Sequence, residues 1–600
     1  MVLQALDWWI IGIFFIILLA IGWVASESAG KNTSEYFLGG RSMPWWLLGI
    51  SMVATTFSAD TPNLVAGLVR EGGVANNWAW WSFLITGMVT VFIYAKLWRR
   101  SEVVTDLGLY ELRYGGKAAS FLRGFRALYL GIFFNCLIMG TVTLAGIKIG
   151  SIMLGLEPWI IVLSISIIVV LYSSLGGIKG VIWADFFQFG IAMTGAFYAA
   201  YIVLQEPEIG SLHTLITHPN VVPKLNLIPD LNDTSLLLTL FIIPIAVQWW
   251  AVWYPGSEPG GGGYIAQRML AAKDEKNAIG ASLLFNVAHY AFRPWPWIIV
   301  ALASIVIYPD LASIKTEFPN IKEQYLGDDI AYPAMLTKLS TGWLGLVVAS
   351  LIAAIMSTLS THLNWGASYL VNDFYKRFVR PYSSEKHLVA MGRWTTAGLM
   401  ILSAIMATTI LENATQAFDI LLLSGAGSGA IYLLRWFWWR INAWTEIVAM
   451  TSASIMAFIL VLFVPDAWVE TSLLDAAAFK LLIAVSFTSL VWIATTYLTK
   501  PESMETLIQF YEQVQPGGPG WKKVIDAAED QGILFSEEQK GWDLPQSLLS
   551  VALGTLSIYA ALFSTGNFIY GKWALGLGLM FISLTSSFLV IRLWRQLKIN

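Results

Sequence analysis

Charge is scarce in this chain. Only 12% of its 600 residues are Asp, Glu, Lys or Arg, about half the roughly 25% usual in soluble domains. With 56% hydrophobic residues and a mean hydropathy of +0.64, the chain cannot cover itself with polar surface in water. A soluble, disordered or nucleic-acid-binding protein is excluded on those grounds. Cysteine is nearly absent. The single Cys136, set in an apolar run, rules out an internal disulfide and a Cys-based metal site. No Lys or Arg precedes Lys31, so the apolar run 7–26 lacks the basic flank of a cleaved signal and is expected to remain as a helix. Nucleophile triads, phosphate loops and metal-ligand spacings are also missing, and no enzyme is expected.

Long apolar runs are present instead. A membrane helix needs about 20 mostly apolar residues, and fifteen runs qualify between residues 7 and 592. The 29 Trp and 22 Tyr suit membrane interfaces. With the N-terminus outside, 27 of the 36 basic residues fall on the cytoplasmic side, 8 fall outside, and Arg293 lies within a span. That asymmetry follows the positive-inside rule and supports both the span count and the orientation, with the C-terminus cytoplasmic; a plasma-membrane protein is expected.

Two spans carry helix breakers. The second contains Ser58-Ala59-Asp60-Thr61-Pro62. The seventh ends in Tyr254-Pro255-Gly256-Ser257-Glu258-Pro259, followed by Gly260 to Gly263. Irregular backbone at membrane depth is tolerated only beside protein or a water-filled cavity. The breaks are five helices apart and cross in opposite directions. They predict two inverted five-helix units, at 43–205 and 236–442, with a loop at 206–235 between them. Residues 1–42 then form an extra helix and loop, 443–498 two peripheral helices, and 546–600 two terminal helices. The polar segment 499–545 reads as a solvated cytoplasmic linker with short amphipathic helices.

Several polar residues sit in apolar spans. Ser357, Thr358, Ser360 and Thr361 recur around successive turns of the ninth span. Neutral oxygens of this kind suit a hard monovalent cation, and they also suit close packing in a membrane helix. Asp185 and Arg293 are costly within a span and are functional candidates. Asp60 lies in the first break. His289 and His362 are intramembrane without metal spacing and read as core polar residues.

In order along the chain come Tyr36-Phe37-Leu38-Gly39-Gly40-Arg41-Ser42-Met43, Leu175-Gly176-Gly177 leading to Asp185 and Gln188, and Gln267-Arg268-Met269-Leu270-Ala271-Ala272-Lys273. Met356-Ser357-Thr358, Asn372-Asp373-Phe374-Tyr375 and Phe437-Trp438-Trp439-Arg440-Ile441-Asn442 follow. In this set the chain resembles the sodium/solute symporters, a family that includes sodium-glucose, sodium-galactose, sodium-proline and sialic acid transporters. The resemblance implies an all-α LeuT-type inverted repeat with additional helices. It implies a main sodium site made of the carbonyls of Ala54, Phe57 and Ala354 with the hydroxyls of Ser357 and Thr358. It implies a second sodium site at Asp185, Ser360 and Thr361. The family's sugar-binding positions fall on Thr61, Trp80, Arg293 and Leu422, and only the cation is kept, as Arg. Those departures read against a simple hexose.

The expectation is a sodium-coupled symporter that imports a small polar, carboxylated or otherwise non-hexose solute by alternating access. It would work as a monomer in a lipid bilayer without nucleic acid. A sugar symporter of the same family and a proton-coupled carrier using Asp60 or Asp185 are the alternatives.

Overall fold

The computed structural model describes residues 3–594 apart from 30, 57, 248–257, 320, 322, 324, 325, 410, 412–422, 424, 537, 538 and 540. The described chain is helical throughout, with one isolated bridge between Met43 and Ala272. Among the described residues, eleven helices are long and apolar enough to cross a membrane. Three shorter apolar helices accompany them, and residues 414–422 and 424 of the expected span 414–437 lie outside the described residues.

The first unit follows α1 (Ala5–Ala29). It comprises α2 (Trp45–Thr55), α3 (Asp60–Gly72), α4 (Val74–Ser101), α5 (Gly116–Met153), α6 (Pro158–Ser174) and α7 (Gly176–Val203). The break between α2 and α3 has a local cause. A proline ring clashes with the carbonyl four residues back and donates no N–H, so Pro62 cannot continue a helix through Ser58. In the first turn of α3 neither defect matters. At the start of α7 the chain turns at Gly177, whose φ of +54° disfavours any residue with a Cβ.

Within the described residues, the second unit includes α8 (Thr234–Ala246), α9 (Gly263–Ala271), α10 (Glu275–Ile307), α11 (Trp343–Val379) and α12 (Glu385–Thr409). Between α8 and α9 the Gly260–Gly263 run takes positive φ at Gly260, Gly261 and Gly263. Gly262 leaves room for the Glu258 carboxylate, since a Cβ there would lie 1.9 Å from Oε2. The two broken helices meet end to end. Met43 donates to Ala271 O at 3.3 Å, and Lys273 donates to Met43 O at 3.1 Å, tying the start of α2 to the end of α9. α2 packs against α7, α10 and α11, and α7 lies along α1 and α11.

After these come α13 (Ala443–Leu462), α14 (Ala476–Leu498), α15 (Met504–Val514), α16 (Lys522–Asp530), α17 (Leu544–Ile569) and α18 (Trp573–Trp594). The segment 499–545 is not a solvated linker. It buries Leu507, Phe510, Tyr511, Val514 and Trp521. The Arg113 guanidinium lies 5.4 Å from the Phe510 ring and 5.0 Å from the Trp521 ring. Gln513 donates to Ser101 O at 2.6 Å, and Trp521 donates to Trp436 O at 2.8 Å. The segment thus forms a folded cap on one end of the bundle. α17 packs into the bundle as well. Tyr559 donates to Trp81 O at 2.8 Å, and Trp295 donates to Leu562 O at 3.1 Å, so α17 braces α4 and α10.

Candidate functional site

The first break and α11 come together as the hydroxyl pattern suggests. Thr358 Oγ1 donates to Thr55 O at 2.8 Å, joining α11 to the last turn of α2 beside Ala54. Ala54, Ala354, Ser357 and Thr358 are all buried, while Phe57 lies outside the described residues. A helix end leaves carbonyls without intrahelical partners. The carbonyls at the end of α2 and the Ser357 and Thr358 hydroxyls of α11 bring neutral oxygens together, a donor set of the kind a small monovalent cation takes.

The residues expected to hold a second cation are also adjacent, but a guanidinium already lies among them. Ser357 Oγ donates to Asp185 Oδ1 at 2.6 Å and Ser51 Oγ to Oδ2 at 2.5 Å. Arg268 Nη2 is 3.6 Å from Asp185 Oδ2 and donates to Thr361 Oγ1 at 2.7 Å. Asp185 and Arg268 are both 0% exposed. Ser360 Oγ turns back to Ser357 O at 3.0 Å. Sequence reading counted Arg268 among the basic residues of one membrane face, whereas the fold carries it into the core.

A second cluster lies on the other side of the break. In α10, Val287–Phe292 is a π-helical turn, and Arg293 N donates to Ala288 O at 3.2 Å. Pro294 follows and cannot complete a regular turn. Such turns often mark functional sites. This one brings His289 and Arg293 onto α2. Arg293 donates to Val53 O at 3.3 Å and lies 5.3 Å from the Trp297 ring. Trp80 stacks on Tyr290 at 5.8 Å and stands edge-on to His289 at 5.6 Å. Asp60 opens α3 within electrostatic reach of Arg293, and its Oδ1 is buried without a hydrogen bond. Thr61 N donates to Ser58 O at 3.1 Å and closes the turn. Leu422 falls outside the described residues. Of the expected solute positions, Trp80 and Arg293 therefore share the His289 cluster. His362 lies apart from it, bonded through Nδ1 to Asn135 Oδ1 at 2.7 Å.

A cavity of about 40 Å³ opens from this cluster, lined by Thr56, His289, Tyr290, Asn286, Gly261 and Glu258. It has room for one or two waters. Both ends are latched. At the capped end, Arg126 Nη2 meets Glu258 Oε1 at 2.7 Å, and both side chains are buried. Nearby, Asp106 accepts from Tyr369 OH at 2.5 Å and from Gly263 N at 3.0 Å. Burial, with the Glu258 carboxylate adding to it, pushes the Asp106 carboxyl up to about 6. At the opposite end, Arg70 Nε meets Asp328 at 2.6 Å, and its Nη1 donates to Tyr308 O at 2.8 Å. Lys148 meets Asp329 at 2.8 Å.

Residues 36–452 match the sequence profile of the sodium:solute symporter family. The chain belongs to that family. It is similar to the sodium/glucose cotransporter of Vibrio parahaemolyticus, at 27% identity over 77% of this chain and 86% of that one. It is also similar to sodium/glucose cotransporter 1 of Oryctolagus cuniculus, at 27% identity over 73% of this chain and 69% of that one. Among solved structures, a Na+-coupled sialic acid symporter in a substrate-bound outward-open state superposes with a TM-score of 0.65. That match has 19% identity and covers 83% of this chain and 99% of that one. The symporter is thus an integral membrane protein with the LeuT-type fold and carries out sodium-coupled solute transport.

Proposed function

We propose that this symporter imports a small polar solute with one sodium ion per cycle, the ion held between α2 and α11. The ligands would be the carbonyls of Ala54, Phe57 and Ala354 and the hydroxyls of Ser357 and Thr358. The observation that carries this reading is the Thr358–Thr55 bond, which draws the α11 hydroxyls onto the carbonyl end of α2. One ion rather than two is favoured because the Arg268 guanidinium supplies the positive charge beside Asp185, Ser51 and Thr361. The solute would sit between the break, Trp80 and α10, with Asp60 and Thr61 on the α3 side. Arg293 favours a solute with a carboxylate or a flat polar group over a neutral hexose. A sugar is the second reading, and it rests on the names of the relatives.

Sodium would enter from the side opposite the cap, with the N-terminus outside and the cap in the cytoplasm of a plasma-membrane protein that works as a monomer. A membrane potential adds about 2.3 kcal/mol per charge per 100 mV to that entry. Sodium shifts the cycle only through its differential affinity for the solute-competent state, and the solute tightens sodium by the same factor. In proteoliposomes, Ser357→Ala and Thr358→Ala are expected to raise the sodium concentration for half-maximal uptake by about tenfold or more. Unchanged sodium dependence in both variants would sink the site. Thermal stabilisation screened across sugars, amino acids and organic acids would identify the solute. Uptake driven by a proton gradient without sodium would overturn the coupling.

A further inference from the structure

One chain of hydrogen bonds joins the Arg293 cluster to the turn that carries the proposed sodium ligands. Arg293 Nη2 lies 3.1 Å from His289 Nε2. A guanidinium only donates, so Nε2 accepts and the imidazole proton resides on Nδ1. Nδ1 lies 3.0 Å from Thr56 Oγ1 and donates to it. Thr56 Oγ1 in turn donates to Val53 O at 3.0 Å or Met52 O at 3.1 Å. Arg293 Nη1 reaches the same turn directly, at Val53 O and, at 3.4 Å, Thr56 Oγ1. Every donor in the chain has a fixed direction, and Phe285, Trp80 and Tyr290 wall in the imidazole.

Val53 and Thr56 are the sequence neighbours of Ala54 and Phe57. A force on either hydroxyl or carbonyl rotates the peptide units whose oxygens would face sodium. We infer that His289 is a positioning residue that couples the two sites. It holds the Arg293 guanidinium and the Thr56 hydroxyl in one arrangement, so that a carboxylate drawing on Arg293 resets the carbonyls that grip sodium. This inference rests on the proposed sodium site and on the reading of Arg293 as the solute's cationic partner. Residue 289 needs an acceptor toward Arg293 and a donor toward Thr56. Glutamine supplies both and leucine neither.

The test needs no identified solute. Purified full-length protein is titrated with NaCl against choline chloride, and the midpoint of sodium-dependent thermal stabilisation is read. His289→Leu is expected to raise that midpoint by about tenfold, and His289→Gln to return it to within about twofold of wild type. If His289→Leu does not fold, Thr56→Val removes the same relay and is expected to give the same rise. A wild-type midpoint in the leucine or valine variant overturns the inference, as does a glutamine variant no better than leucine. The sodium site is checked separately. Stabilisation lost in Thr358→Ala but unchanged in His289→Leu defeats the coupling alone. Its absence in the wild type, or its persistence in Thr358→Ala, defeats the sodium site as well.

Discussion

Among single residues, Asp185 and Arg268 carry the most consequence. Each is fully buried, and each charge is compensated chiefly by the other and by three hydroxyls. Removing one partner of a buried pair leaves an uncompensated charge and costs about 3–5 kcal/mol. Arg268→Met is therefore expected to lower the melting temperature sharply, and the double variant Asp185→Asn/Arg268→Met to recover much of the loss. Sodium-activation curves of uptake in the wild type are expected to show a Hill coefficient near one. A coefficient approaching two would mean that an ion displaces the guanidinium. The hydroxyls at 357, 358, 360 and 361 and the carboxylate at 185 were legible in the sequence because polar atoms are conspicuous in apolar runs. Arg268 and Ser51 were not, because a cation and a serine near a span's end look the same whether they face water or the core. His289 was legible as a polar residue, but its link to Thr56 depends on a π turn that no periodicity announces.

At the scale of elements, the breaks explain how irregular backbone survives inside the bundle. Pro62 and the Gly260–Gly263 run were evident from composition, and both mark the ends of helix halves. Gly261 has φ +87°, and a Cβ there would lie 2.7 Å from Met269 Cε. Gly261→Ala is therefore expected to cost about 1–3 kcal/mol. Gly398, exposed within α12 and with open space around it, is the control. Alanine there is expected to be neutral or to stabilise by up to about 1 kcal/mol. Equal melting temperatures for the two variants would contradict the strained turn. The segment 499–545 was misjudged from its polarity. Its apolar residues are few, but on α15 Leu507, Phe510, Tyr511 and Val514 recur at helical spacing and close over Arg113. The fold hides that stripe under a cation that the sequence places nearly 400 residues away.

For the whole molecule, the inverted repeat was readable from two breaks five helices apart, and the LeuT-type fold agrees with it. The long-range ion pairs were not readable, because they join distant segments, Arg126 with Glu258 and Arg70 with Asp328. One element of the capped-end closure responds to pH. The folded protein holds the Asp106 proton up to about pH 6, while an unfolded aspartate releases it near pH 4. The folded state therefore binds more protons across that window, and stability is expected to fall as pH rises through it. Melting curves between about pH 4 and pH 6.5 should show that slope in the wild type and a shallower one in Asp106→Asn. A slope that survives the substitution would assign it elsewhere.

The cap over Arg113 has a consequence for truncation. Phe510 and Trp521 lie on its guanidinium, and Trp521 donates to Trp436 O. Ending the chain before residue 499 would therefore bare a buried cation together with an apolar face, so the trailing segment belongs to the folding unit rather than to a detachable tail.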